Sequence, residues 1–131
     1  MDNGKSAIIH IKNDYEFRRA YNRGKSFVSP LLVVYCLKRR QKCVRFGITT
    51  GKKVGNAVCR SRARRVIREA YRHLLPEIET GWDIIFVART RTAQVKEQQV
   101  EESMLHLLKK AGLIVKNRPA EAKTDSAGCE N

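Results

Sequence analysis

GKKVGNAVCRSRARRVIREAYRHLLP, residues 51–76, is a glycine-bounded basic loop running into a long amphipathic helix. Asn56 is a good N-cap, and Leu75 with Pro76 marks the stop. At about 100° per residue from Ala63, the residues Cys59, Val66, Ile67, Ala70 and Leu74 fall in one apolar stripe. Ser61, Arg65, Arg68 and Arg72 occupy the opposite face. Arg60 and Arg64 share one flank, and Arg62 takes the other. Glu69 is the single acid on this helix. A helix needing only solubility would alternate Glu with Arg and gain from i,i+4 pairs. Like charges at this density repel, and phosphates are the partner that relieves them, because the guanidinium fork matches phosphate oxygens.

Outward from this helix the chain reads as short strands and two further helices. Upstream, Asn13 opens a helix, with Glu16 in the capping-box position and Gly24 as the stop. Ser26–Val28 is a short strand, and Leu32–Leu37 (LVVYCL) an apolar strand covered on both faces. The loop KRRQK is hairpin-like and leads to a return strand, Val44–Thr49. Downstream, Trp82–Ala88 (WDIIFVA) is a buried-type strand, and Lys96–Ala111 a helix with the stripe Val100, Met104, Leu107, Leu108, Ala111. The order α-β-β-β-α-β-α makes one α+β domain, helices on a small sheet. Residues 1–8 read as a flexible N-terminus, 9–115 as the domain and 116–131 as a disordered tail.

The chain has 131 residues and a net charge of +14. Residues 38–72 hold thirteen basic side chains and one acid, so almost the whole excess sits in one stretch. That concentration is the footprint of a nucleic-acid binder. No apolar run approaches the roughly 20 residues of a bilayer span, and the N-terminus lacks a signal peptide's apolar region, so a cytoplasmic protein without membrane contact is expected. Cys36, Cys43, Cys59 and Cys129 show no zinc-ligand spacing and are expected to remain plain thiols rather than a disulfide framework.

Protein-based phosphodiester hydrolysis needs clustered carboxylates around metals. The acids outside the basic stretch are scattered, and His10, His73 and His106 are isolated in sequence. No catalytic residue, metal ligand or small-molecule substrate is therefore expected. Alternation places Leu32, Val34 and Cys36 on one strand face and Val33, Tyr35 and Leu37 on the other, with Thr49 opposite Ile48 on the return strand. Phe17 and Tyr21, one helical turn apart, have two readings: they anchor their helix to the sheet, or they stack on unpaired bases.

The segment Gly51–Arg72 resembles the signature of the protein subunit of bacterial ribonuclease P, a Lys-Lys-x-Gly-Asn-Ala-Val loop followed by Arg-Asn-Arg on a basic helix. Lys52, Lys53, Gly55, Asn56, Ala57, Val58, Arg60, Arg62, Arg65 and Arg68 match; position 61 is Ser where that family usually has Asn. The resemblance covers about residues 9–111. It implies a protein that joins a catalytic RNA subunit to remove the 5′ leader of precursor tRNA, an endoribonuclease whose Mg²⁺ ions are held mainly by the RNA, with none bound by the protein alone. It also implies a left-handed crossover, against the general rule. Carried onto this chain, the resemblance implies that Lys52, Lys53, Asn56, Arg62, Arg65 and Arg68 contact the RNA subunit. It places Phe17, Tyr21, Val33, Tyr35, Thr49, Arg60 and Arg64 on the leader. A ribosomal or other RNA-binding protein of related fold, without a nuclease role, is the alternative.

Overall fold

β5 (Trp82–Ala88) lies at the centre of a five-stranded sheet, with Ile84, Ile85 and Phe86 all fully buried. A strand apolar on both sides is stable only when covered on both faces, and this one is. The computed structural model describes residues 8–115. In chain order the elements are β1 (Ile9–His10), α1 (Asp14–Arg23), β2 (Lys25–Val28), β3 (Leu32–Lys38), β4 (Val44–Thr49), α2 (Ala57–Leu74), β5 and α3 (Glu97–Ala111). The sheet order is β1-β4-β5-β3-β2. β4 runs parallel to β5 and β3 antiparallel to it, so α2 is the crossover between adjacent parallel strands. The left-handed sense implied by the resemblance refers to this connection.

Two cores flank the sheet. α2 and α3 cover one face, where Ala63, Val66, Ile67, Ala70, Met104, Leu107 and Leu108 meet Leu32, Val34, Phe46, Ile84 and Phe86. α1 covers part of the other, where Ala20 and Ile85 are buried beneath Phe17, Tyr21, Tyr35 and Leu37. The alternation expected for β3 holds: Leu32, Val34 and Cys36 are buried, while Val33, Tyr35 and Leu37 are half-buried on the α1 side.

Several expectations need correction. β1 was not foreseen; two residues carry no periodicity, and its pairing with Arg45 and Phe46 depends on β4. β3 and β4 are not a hairpin, because β5 inserts between them. The capping box at Asn13 does not form: Glu16 turns to Arg45 instead, at 2.9 Å. Tyr71, outside the expected apolar stripe, is fully buried and stacked on Phe46 with centroids 4.3 Å apart. Cys36 and Cys59 are free thiols, as expected. Burial pushes the Cys36 thiol up to about 12, so it packs as a small hydrophobe. The expected N-terminal flexible segment, apart from Ile8, and the expected tail lie outside the described residues.

Candidate nucleic-acid interface

The entry to α2 is built from its glycine and asparagine. Gly55 has φ +139°, and a Cβ there would meet the Cys59 Cβ at 2.8 Å, so the tight approach needs glycine. The Asn56 side-chain oxygen accepts the Cys59 backbone N–H at 3.0 Å, capping the helix. Lys52 and Lys53 form an exposed turn before it, steadied where Thr90 donates to the Lys53 carbonyl at 3.0 Å. Asn56 is thus a structural cap through its oxygen.

The arginines of α2 divide as the wheel requires. Arg65 and Arg68 are exposed on the outward face. Among the described residues their side chains make no hydrogen bond or ion pair. Arg72 instead pairs with Glu69 at 2.6 Å. Arg62 is drawn to the protein: Nε donates to the Ala93 carbonyl at 2.9 Å and Nη2 to that of Val95 at 3.0 Å. Its guanidinium ties α2 to the segment before α3, a structural task that sequence alone did not show. On the other flank, half-buried Arg64 donates to Thr50 Oγ1 at 2.8 Å and to Ser61 Oγ at 3.4 Å, with Arg60 one turn earlier. Ser61, in place of the longer Asn, therefore helps to hold Arg64.

A second surface lies on the α1 side of the sheet. Strand register places Val28 opposite Val33, Val33 opposite Val87, and Val87 beside Thr49. Side chains directly across from one another share a face. The four form a row near one end of the strands, and Val28 is 59% exposed. α1 borders this row with aromatic rings. Tyr21 meets Tyr35 edge-on at 4.9 Å between centroids, and its hydroxyl shares a 2.5 Å hydrogen bond with Thr49 Oγ1. Phe17 sits 6.5 Å from Tyr21 but presses onto Gly47 and so serves chiefly as the anchor of α1. The fold therefore brings Tyr21, Val33, Tyr35 and Thr49 together, with Arg64 held at the neighbouring Thr50. Val28 and Val87 complete the row and were missed. The WDIIFVA alternation puts Val87 on the face of Ile85, but only the strand order sets it between Val33 and Thr49.

A third cluster gathers around His73. His73 Nδ1 lies 2.9 Å from Glu101 and 3.6 Å from Glu97, and its Nε2 lies 3.2 Å from Glu69. The packing of α2 against α3 joins groups that are far apart in sequence. The hydrogen bond to Glu101 holds the His73 imidazole above its ordinary value, against a smaller opposing effect of burial. Burial, and then Glu101, push the Glu97 carboxyl up. One imidazole and two carboxylates within 4.8 Å are a donor set a cation could use, but they are half-exposed and stand on the α2–α3 pair.

The chain is similar to known proteins along most of its length. Residues 7–112 match the family model described as Ribonuclease P. The ribonuclease P protein component of Alkaliphilus oremlandii is 40% identical over 108 residues, covering 82% of this chain and 95% of that protein. That of Clostridium novyi is 44% identical over 105 residues, covering 79% and 93%. Among solved structures, the Staphylococcus aureus RNase P protein superposes with a TM-score of 0.74 at 33% identity, covering 82% of this chain and 99% of that one. The Thermotoga maritima protein gives 0.70 at 28%, covering 77% and 96%. The chain belongs to the ribonuclease P protein family.

Proposed function

We propose that this chain assembles with the catalytic RNA of ribonuclease P through Lys52, Lys53, Arg65 and Arg68, and receives the 5′ leader of precursor tRNA on the Val28–Val33–Val87–Thr49 row. The observation that carries the proposal is the division of RNA-binding chemistry between the unpaired outward arginines of α2 and the tyrosine-bordered valine row. Arginines on a helix face grip phosphates without reading sequence. A flat apolar row with tyrosines beside it suits unpaired bases, whose π-faces stack on aromatic rings whatever their identity. Arg64 and Arg60, on the adjoining flank of α2, supply cations for the leader's phosphates. Arg62 contributes by holding α2 in place.

The protein's part is then binding and orientation. Holding the leader beside the RNA subunit converts an encounter into a positioned substrate and favours precursor over mature tRNA. Mg²⁺, held by the RNA subunit, supplies the hydrolytic chemistry that leaves a 5′-phosphate on the tRNA and a 3′-hydroxyl on the leader. The compartment is the cytoplasm on this reading; among the described residues no helix is long and apolar enough to cross a membrane. The test is reconstitution with precursor tRNA and Mg²⁺, with and without the RNA subunit. Leader release should require the RNA and be enhanced by the protein. Cleavage of precursor by nuclease-free protein alone would overturn the assignment of the chemistry to RNA.

A further inference from the structure

A groove of about 420 Å³ opens between α1 and the β3–β4 loop, lined by Arg19, Arg23, Leu37, Lys38, Arg39, Arg40 and Gln41. Five of its lining side chains are cationic and none is acidic. These cations come from two separate elements, so folding gathers them in spite of their repulsion. The nearest carboxylates are already engaged. Asp83, 1% exposed, receives two hydrogen bonds of 2.9 Å from Arg45 and lies 3.3 Å from Arg39 Nε. Glu16 is bound to Arg45 at 2.9 Å. Arg19, Arg23, Lys38 and Arg40 are exposed.

The groove is also held in shape. The Arg39 backbone N–H donates to the Gly81 carbonyl at 2.7 Å, and Gly81 donates to that of Cys43 at 2.9 Å. Lys38 lies over the Trp82 ring at 5.6 Å, and the Arg39 side chain bonds Gln41. Lys38 is five residues along β3 from Val33, roughly 16 Å at the rise of a strand. The groove therefore lies toward the far end of the strands from the valine row, and α2 packs on the opposite face of the sheet. Charge concentrated in a preformed concavity raises the local concentration of a polyanion and lowers the ordering cost of binding it.

We propose that this groove is a second phosphate-binding surface for RNA, distinct from the outward face of α2, that grips a phosphodiester backbone without reading its bases. It rests on the reading of the chain as an RNA-binding subunit and adds to it a contact on the α1 side. The phosphates come from the catalytic RNA or from precursor tRNA, and the experiment distinguishes the two.

The full chain carrying Arg19→Gln, Arg23→Gln and Arg40→Gln is titrated against a ribonuclease P RNA transcript and against precursor tRNA, each from about 50 to 200 mM salt. Arg65→Ala/Arg68→Ala serves as the comparison. Phosphatidylglycerol vesicles form a third arm. The melting temperature should stay at the wild-type value, because the replaced side chains are exposed. The slope of log affinity on log salt should become shallower by about 2–3 for one of the two RNAs, which identifies the source. Should the triple variant melt lower, Arg40→Gln alone should still lessen the slope by about 1. Unchanged slopes on both RNAs, or a loss confined to the vesicles, overturn the groove. Unchanged slopes with intact leader cleavage remove the groove and keep the proposed function. A shallower slope without cleavage in the reconstituted enzyme does the reverse.

Discussion

Phe17 lies so close over Gly47 that a Cβ built on the glycine would stand 2.9 Å from both Cε2 and Cζ of the ring. α1 thus docks on the sheet through an aromatic ring seated on bare backbone. Gly47→Ala should push Phe17 away and loosen α1 at a cost of about 1–3 kcal/mol, the scale of an overpacked core. Thermal unfolding measures it, and Phe17→Leu in the same background should recover part of the loss. A wild-type melting temperature for Gly47→Ala would show that α1 is not held by this contact.

The ion cluster beneath α1 supports a second prediction. Arg45 bridges Asp83 and Glu16, both buried. Burial alone would raise the Glu16 carboxyl, but the Arg45 hydrogen bond and charge outweigh it and hold the group below its ordinary value. Arg45→Met leaves Asp83 with the more distant Arg39 and should cost about 3–5 kcal/mol, the usual result of removing one partner from a buried pair. Denaturant unfolding decides it. A loss below about 1 kcal/mol would mean that Arg39 or water replaces Arg45.

On the outward face of α2, Arg65→Ala and Arg68→Ala should each make the salt dependence of binding to the catalytic RNA shallower by about 1. Both side chains are exposed and unpaired among the described residues, so circular dichroism should show folded protein. Arg62→Ala should behave differently. It releases the Ala93 and Val95 carbonyls, so it should lower the melting temperature as well as RNA affinity.

The cluster around His73 makes stability depend on pH. His73 and Glu97 both bind protons more readily folded than unfolded. Each therefore contributes stability that is complete below its unfolded pKa and lost as pH rises through the folded one. For Glu97 the loss begins above about 4.5, and for His73 above about 6.5. Between pH 6 and 8.5 the melting temperature should fall, by less than about 5 °C because the imidazole is half-exposed and solvent screens it. His73→Gln should flatten that slope. A rise in melting temperature across this range in the wild type would contradict the sign.

Much of this arrangement is legible in the residues, and the illegible parts have a common cause. α2 could be drawn with its faces because a capped 3.6-residue period carries its own orientation. β3 could be assigned its inner and outer sides by alternation. Strand order is different: nothing local in KRRQK says that β5 will enter between β3 and β4, so the hairpin expectation failed and Val87 went unnoticed beside Val33. The partners of His73 are illegible for the same reason, since Glu97 and Glu101 sit on α3. Arg62 was placed on the correct flank, yet the Ala93 and Val95 carbonyls that engage it belong to a segment with no helical or strand period. Tyr71 is buried because Phe46 offers it a stacking surface, which a helical wheel does not contain.

Tyr21 is both anchor and rim, and the two roles can be separated. Its ring packs edge-on to Tyr35 and its hydroxyl bonds Thr49, so part of its contribution is to the scaffold. Tyr21→Phe removes the hydroxyl alone and keeps the ring. It should cost about 0.5–1.5 kcal/mol of stability while precursor tRNA affinity stays near wild type. Tyr21→Ala and Tyr35→Ala remove the rings and should lower precursor affinity by about 1–3 kcal/mol, the scale of one stacking contact. Mature tRNA lacks the leader, so its affinity for the reconstituted enzyme should barely change once the folded fraction is matched. Melting temperatures measured beside both affinities show what the scaffold alone contributes. Equal losses for precursor and mature tRNA would return these tyrosines to the scaffold and leave the valine row without its stacking partners.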